Sequence, residues 1–143
     1  MHIFVSRPTW VSSEFEEGLN IFLMFLKNME ITPRTLGTTD YPSKAPLDEI
    51  IEIMDECQGA IVLGYPQIEV VKGTLKGEDL NQGLVLGTEW NHVEASLAYA
   101  KSLPLMIIHH ETVSRGIFEK GIMNVFNHKI DLTKPSWCMD ESL

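Results

Sequence analysis

Apolar residues along the chain fall into short solid runs, separated by longer stretches in which they recur at helical spacing. Residues 2–6 form one such run and end in the turn Ser6-Arg7-Pro8-Thr9, the pattern of a buried strand. Residues 14–30 then read as a helix, with Phe15, Leu19, Phe22, Leu26 and Met29 on one face. Ile21, Met24 and Phe25 lie off that face, so this helix is apolar on more than one side. It is either deeply buried or shared with a second subunit. Residues 32–37 read as a weak strand, and Pro33, which has no N–H to donate, assigns it to a sheet edge. After the loop Thr38-Thr39-Asp40-Tyr41-Pro42, a second helix opens on Pro46, with Asp48 and Glu49 in its first turn. Its stripe is Leu47, Ile50, Ile51, Met54 and Cys57, and Gly59 stops it.

Residues 60–63 are apolar throughout, as in a parallel strand covered on both faces, and Gly64-Tyr65-Pro66 ends the run. The connection 67–87 carries Gly73, Gly77 and Gly83 and has the length of an active-site flap. Thr88 is positioned to cap a helix over 89–102. A buried strand is predicted over 104–110, a helix weakened by Gly116 and Gly121 over 113–126, and a short last strand over 129–132. The tail 132–143 is polar apart from Trp137. Strands alternating with helices predict one α/β domain over 1–143, flavodoxin-like, with three layers α/β/α around a mostly parallel five-stranded sheet. Ligands in such sheets bind beyond the carboxyl ends of the strands. That rule nominates residues 6–10, 38–41 and 64–67, the start of the Thr88 helix, and 109–111.

Composition narrows the partners. Among 143 residues, 11 Lys and Arg face 20 Asp and Glu, a formal charge of −9, which argues against a nucleic-acid backbone ligand or an acidic membrane surface. The longest apolar run, 21–26, is far short of the roughly 20 residues that span a bilayer. The start Met1-His2-Ile3 has no cationic region ahead of an apolar one, so no secretory signal is expected. Two cysteines, Cys57 and Cys138, form neither a disulfide framework nor a zinc motif. A reduced, cytoplasmic protein is the expectation.

Few residues suggest chemistry. Trp90 and Glu94 are one turn apart on the helix that begins at the carboxyl edge of the sheet. Ala95, Ala98 and Ala100 let that helix pack closely. Burial beside the indole raises a carboxyl pKa, whereas a helix N-terminus lowers it, and the sequence leaves the balance open. Arg7, next to Ser6 at the end of the first strand, suits a phosphate as a bidentate donor, or is an ordinary loop arginine. There is no Walker A loop and no GxGxxG fingerprint. His109 and His110 are adjacent in a strand and point to opposite faces, so no metal site is expected. His92 lies on a different helical face from Glu94 and is expected to be structural. Arg115 reads as a loop arginine or as a side chain that reaches the same cleft from beyond the fourth strand, Trp10 and Tyr65 as either an aromatic wall for a base or core, and Asp48, Glu49, Glu52, Asp55 and Glu56 as a solvated helix face.

The segment from Gly87 to Ala100 resembles the helix that carries the catalytic glutamate in two related families. Trp90-Asn91-His92-Val93-Glu94 is similar to the tryptophan, with glutamate four residues on, of Toll/interleukin-receptor (TIR) domains. Gly87-Thr88, then Glu94 to Ala100, then Pro104, looks like the nucleoside 2-deoxyribosyltransferases. More loosely, the resemblance extends over residues 3–132. It implies cleavage of an N-glycosidic bond in a small-molecule nucleotide, most of all NAD, as substrate rather than cofactor. Glu94 would meet the sugar C1′, and Ser6, Arg7, Thr88 and Trp90 would bind the substrate. A neutral base would also need a proton donor, for which Asp40, Tyr65 and His109 are candidates by loop position. The resemblance further implies a homo-oligomer and a setting such as bacterial antiphage signalling. The alternatives are a noncatalytic nucleotide-binding or self-assembling module, and base exchange by a deoxyribosyltransferase.

Overall fold

The computed structural model describes residues 1–143. Along it run β1 (His2–Ser6), α1 (Ser13–Asn28), β2 (Thr32–Arg34), α2 (Pro46–Asp55) and β3 (Gly59–Gly64). An excursion then holds the short strands β4 (Ile68–Val70), β5 (Thr74–Leu75), β6 (Glu78–Asp79) and β7 (Leu84–Leu86). It is followed by α3 (Glu89–Ala100), β8 (Leu105–His110) and β9 (Phe126–Ile130). Five strands form one all-parallel sheet in the order β2-β1-β3-β8-β9. This is the flavodoxin-like three-layer α/β arrangement that the alternating pattern predicts. β2 lies at an edge, where the missing N–H of Pro33 costs no interior hydrogen bond.

Alternation along the strands divides the core. Phe4, Val62 and Ile107 pack with Ile50, Ile53 and Met54 of α2 and with Ala95 and Ala98 of α3. Val5, Leu63 and Ile108 pack with Phe15, Leu19, Phe22 and Leu26 of α1 on the other face. Each of these large α1 side chains contributes about 1.5–3 kcal/mol by leaving water. Met29 does not join them. It follows the helix and is exposed, as are Met24 and Phe25, so the second apolar side of α1 faces solvent. In α2, Leu47 is exposed and Ile53 is buried in its stead.

Two expectations are corrected. No helix forms over 113–126. Arg115, Gly116 and Gly121 all have positive φ, and only a 3-10 turn, Gly116–Phe118, survives. Gly116 is needed where it stands, since a Cβ there would lie 2.5 Å from the His92 ring. The last strand starts earlier than expected, as β9 rather than 129–132. The connection 67–87, long enough for a flap, is built of two short antiparallel pairs. β4 pairs with β7, and β5 pairs with β6 around Lys76 and Gly77, both at positive φ as a tight two-residue hairpin turn requires. No helix is long and apolar enough to cross a membrane.

Candidate active site

The chain leaves β1 in one direction to form β2 and in the other to reach β3, so the sheet order reverses beside β1. At that crevice, beyond the carboxyl ends of the strands, lies a cavity of about 370 Å³. Arg7, Pro8 and Thr9 line it from the segment after β1, Leu36, Gly37 and Pro42 from the loop after β2, and Gln67 from the base of the excursion. Thr88, Trp90 and Glu94 come from the first turns of α3. The Thr88 hydroxyl caps that helix, accepting the Trp90 N–H at 3.2 Å.

Glu94 is only 7% exposed. Ser6 Oγ donates to its Oε1 at 2.8 Å, across 88 residues of sequence. Asn91 Nδ2 in turn donates to Ser6 Oγ at 2.9 Å. Glu94 Oε2 has no protein partner and is not among the buried unpaired atoms, so it is the oxygen that keeps access to the cavity. Burial raises the carboxyl from 4.5 to about 7, against the smaller lowering effect of the Ser6 hydroxyl. Burial is thus the dominant influence on this carboxyl, and the Ser6 hydroxyl is the one opposing it. Arg7 is half-buried, and its Nε is enclosed with no partner. Burial lowers its pKa as well. The cavity thus holds one cation and one carboxylate that form no ion pair with each other.

Of the predicted residues, Ser6, Arg7, Thr88, Trp90 and Glu94 come together here. Asp40, Tyr65 and His109 do not. Arg34 grips Asp40 through two hydrogen bonds of 2.9 and 2.8 Å and also reaches Glu56 at 2.8 Å. This holds the Asp40 carboxyl below its usual range and fastens the loop that supplies Leu36 and Gly37. Asp40→Ala is expected to destabilise the fold by about 1–3 kcal/mol, read as a lower denaturant midpoint at unchanged slope. Tyr65 is fully buried on the α1 face against Phe15 and does not line the cavity; its hydroxyl has no hydrogen-bond partner, and burial pushes its pKa up against the opposing charge of Arg7. His109 points to the α2 and α3 face, where its ring meets Phe118, and burial lowers its pKa. Its neighbour His110 packs on Phe15 on the opposite face. His92 accepts the Ile117 N–H at 3.4 Å and packs on Phe118, a structural role as expected.

Asn91 escaped the sequence reading, although a signal for it was present. The buried residues of α3 are Asn91, Glu94, Ala95 and Ala98, a helical stripe whose first two members are polar. Polar side chains in an inward stripe are expected to bond to one another or to the strand beneath. Elsewhere, His110, Glu111 and Asp131 bring ligand atoms within 4.8 Å of one another. There, however, His110 Nδ1 already accepts the Leu132 N–H and Asp131 accepts from Thr133. A wider apolar groove at the amino ends of β3 and β8 has no acidic or cationic side chain in its lining. Neither a protein-family model nor a curated protein sequence matches this chain.

Proposed function

We propose that this chain cleaves the N-glycosidic bond of a nucleotide, NAD foremost, with Glu94 as the carboxylate that meets C1′. The observation that carries this reading is the buried Glu94 carboxyl, tied at Oε1 and open at Oε2 to a cavity shared with Arg7. As the C1′–N bond breaks, its electron pair leaves with the base and C1′ gains oxocarbenium character. A carboxylate next to C1′ stabilises that charge or captures it as an ester that water then opens. Arg7 supplies a guanidinium for a phosphate. Trp90, 42% exposed, offers an indole edge for the base or sugar.

The choice of NAD rests on the lack of a second acid in the cavity, since Glu94 is itself assigned to C1′. Glu94 is the only acidic side chain lining the cavity; Asp40 is paired with Arg34, and Tyr65 and His109 are not among the lining residues. A neutral nucleobase leaves slowly without a proton. Nicotinamide departs from a cationic ring as a neutral molecule and needs none. Nicotinamide release from NAD, followed by chromatography, is expected to rise with pH through an apparent pKa near 7, as Glu94 ionises. Exchange of bases between deoxynucleosides, with NAD untouched, would transfer the reading to a deoxyribosyltransferase. No turnover of either would favour a self-assembling module, for which the exposed Met24 and Phe25 of α1, with Met29 just after it, offer a surface.

A further inference from the structure

The order of donors and acceptors behind Glu94 determines which of its two oxygens is free. Asn91 has no exposed surface, and its amide faces Ser6. Nδ2 lies 2.9 Å from Ser6 Oγ and 3.4 Å from the Ser6 carbonyl oxygen. A flipped amide would set its oxygen against that carbonyl, two acceptors facing each other, so the N–H side faces Ser6. A hydroxyl has a single proton. With an amide N–H already directed at Ser6 Oγ, that proton turns to the remaining neighbour, Glu94 Oε1 at 2.8 Å. On the far side of the amide Oδ1 is buried with no hydrogen-bond partner, so Ser6 is the one side chain to which this amide is tied. A Cβ on Gly87 would lie 3.2 Å from Asn91 Oδ1 and 3.0 Å from Phe118, tighter than ordinary contact.

We propose that Asn91 is a positioning residue: by donating to Ser6 it directs the Ser6 hydroxyl onto Oε1 of Glu94 and leaves Oε2 as the oxygen presented to substrate. This rests on the proposed role of Glu94, but the hydrogen-bond relay itself exists without any substrate. Two consequences follow. The carboxyl cannot rotate to exchange its oxygens without breaking a buried hydrogen bond, so Oε2 keeps a constant aim. The ionised form is also favoured, because a hydroxyl pointed at Oε1 can only donate. Without Asn91 the hydroxyl can turn and accept a proton from neutral Glu94. Arg7, in the segment after β1, is the only charged side chain besides Glu94 lining the cavity, and β2, α2 and the excursion bring none to it. The relay is therefore not masked by a second titrating group there.

The test observes the carboxyl directly. With glutamate labelled with 13C at the side-chain carboxyl, NMR titration gives the Glu94 midpoint, its signal assigned by loss in Glu94→Gln. Asn91→Leu, with Asn91→Ala alongside in case the larger side chain is not accommodated, is expected to raise that midpoint by about half a unit to one unit. Ser6→Ala is expected to raise it at least as far, and adding either Asn91 substitution to Ser6→Ala is expected to move it no further. An unchanged midpoint in a folded Asn91 variant, or the same shift with and without Ser6, overturns the proposal. In the NAD assay, kcat is expected to fall about tenfold in Asn91→Leu with KM nearly constant. If the titration behaves as stated while no nucleotide is turned over, the relay stands and the proposed activity falls.

Discussion

Replacing Glu94 with Gln is expected to reduce nicotinamide release at least about a thousandfold, a loss of roughly 4 kcal/mol in transition-state stabilisation, with little change in KM. The same substitution is expected to stabilise the fold. The amide has the shape of the carboxyl, its oxygen can accept from Ser6, and its nitrogen faces the cavity that Oε2 reaches in the parent. It carries no charge at any pH. In the parent, burial raises the carboxyl from 4.5 to about 7, so the folded chain binds this proton more tightly than the unfolded chain. The associated stability is complete below about 4.5 and is lost as pH rises through about 7. Above that pH the buried charge costs up to about 3 kcal/mol, and the variant escapes the cost. Thermal melts of the two proteins are thus expected to coincide near pH 4.5 and to separate toward pH 8, with Glu94→Gln higher. A gain in stability coupled to a loss of turnover is the mark of a carboxylate kept for its chemistry. A residue kept for packing would show the reverse, and equal melts at pH 8 would remove the buried charge from the account.

The fold was readable wherever a residue's neighbours in space repeat with a fixed period. The runs 2–6, 60–63 and 104–110 are apolar because parallel strands are covered on both sides, and they correspond to β1, β3 and β8. Thr88, Trp90 and Glu94 were accessible for the same reason: one is a cap, and the other two lie on one face of a helix that starts at the sheet edge. What failed depended on contacts without a period. Asp40 sits in a nominated loop, but its partner Arg34 lies in a strand, and nothing in their spacing announces an ion pair. Gly116 and Gly121 weakened a helix over 113–126 on paper; in the structure, positive φ at both and at Arg115 abolishes it. Ser6 was legible as a strand-end residue, whereas its bond to Glu94 spans 88 positions and appears only when α3 is laid on β1.

Trp137→Ala is expected to be among the most destabilising single changes in the chain, about 3–5 kcal/mol, even though it lies in a segment whose composition reads as a polar tail. The side chain is 2% exposed and stacks on Phe22 of α1, ring centroids 4.9 Å apart. The helix makes room for it at Gly18, where a Cβ would lie 2.7 Å from the indole. Residues 137–139 form a 3-10 turn that sets the ring against the α1 layer beside Val5, Leu63 and Leu132. The tail therefore completes the core on the face where α1 is the only long helix, since α2 and α3 both cover the other. Trp137→Phe keeps most of the stacking area and removes an indole N–H that is buried with no partner. Its cost is expected to be less than half that of the alanine. Gly18→Ala attacks the same contact from the helix, and its loss is expected to shrink when combined with Trp137→Ala, because the two closest atoms the methyl would meet are then gone and only the Lys134 carbonyl oxygen, at 3.1 Å, remains close. Denaturant unfolding of the two single variants and the double variant measures that coupling. Independent, additive losses would mean that the indole and Gly18 do not meet in solution, and the C-terminal turn would then lose its role as a covering layer for α1.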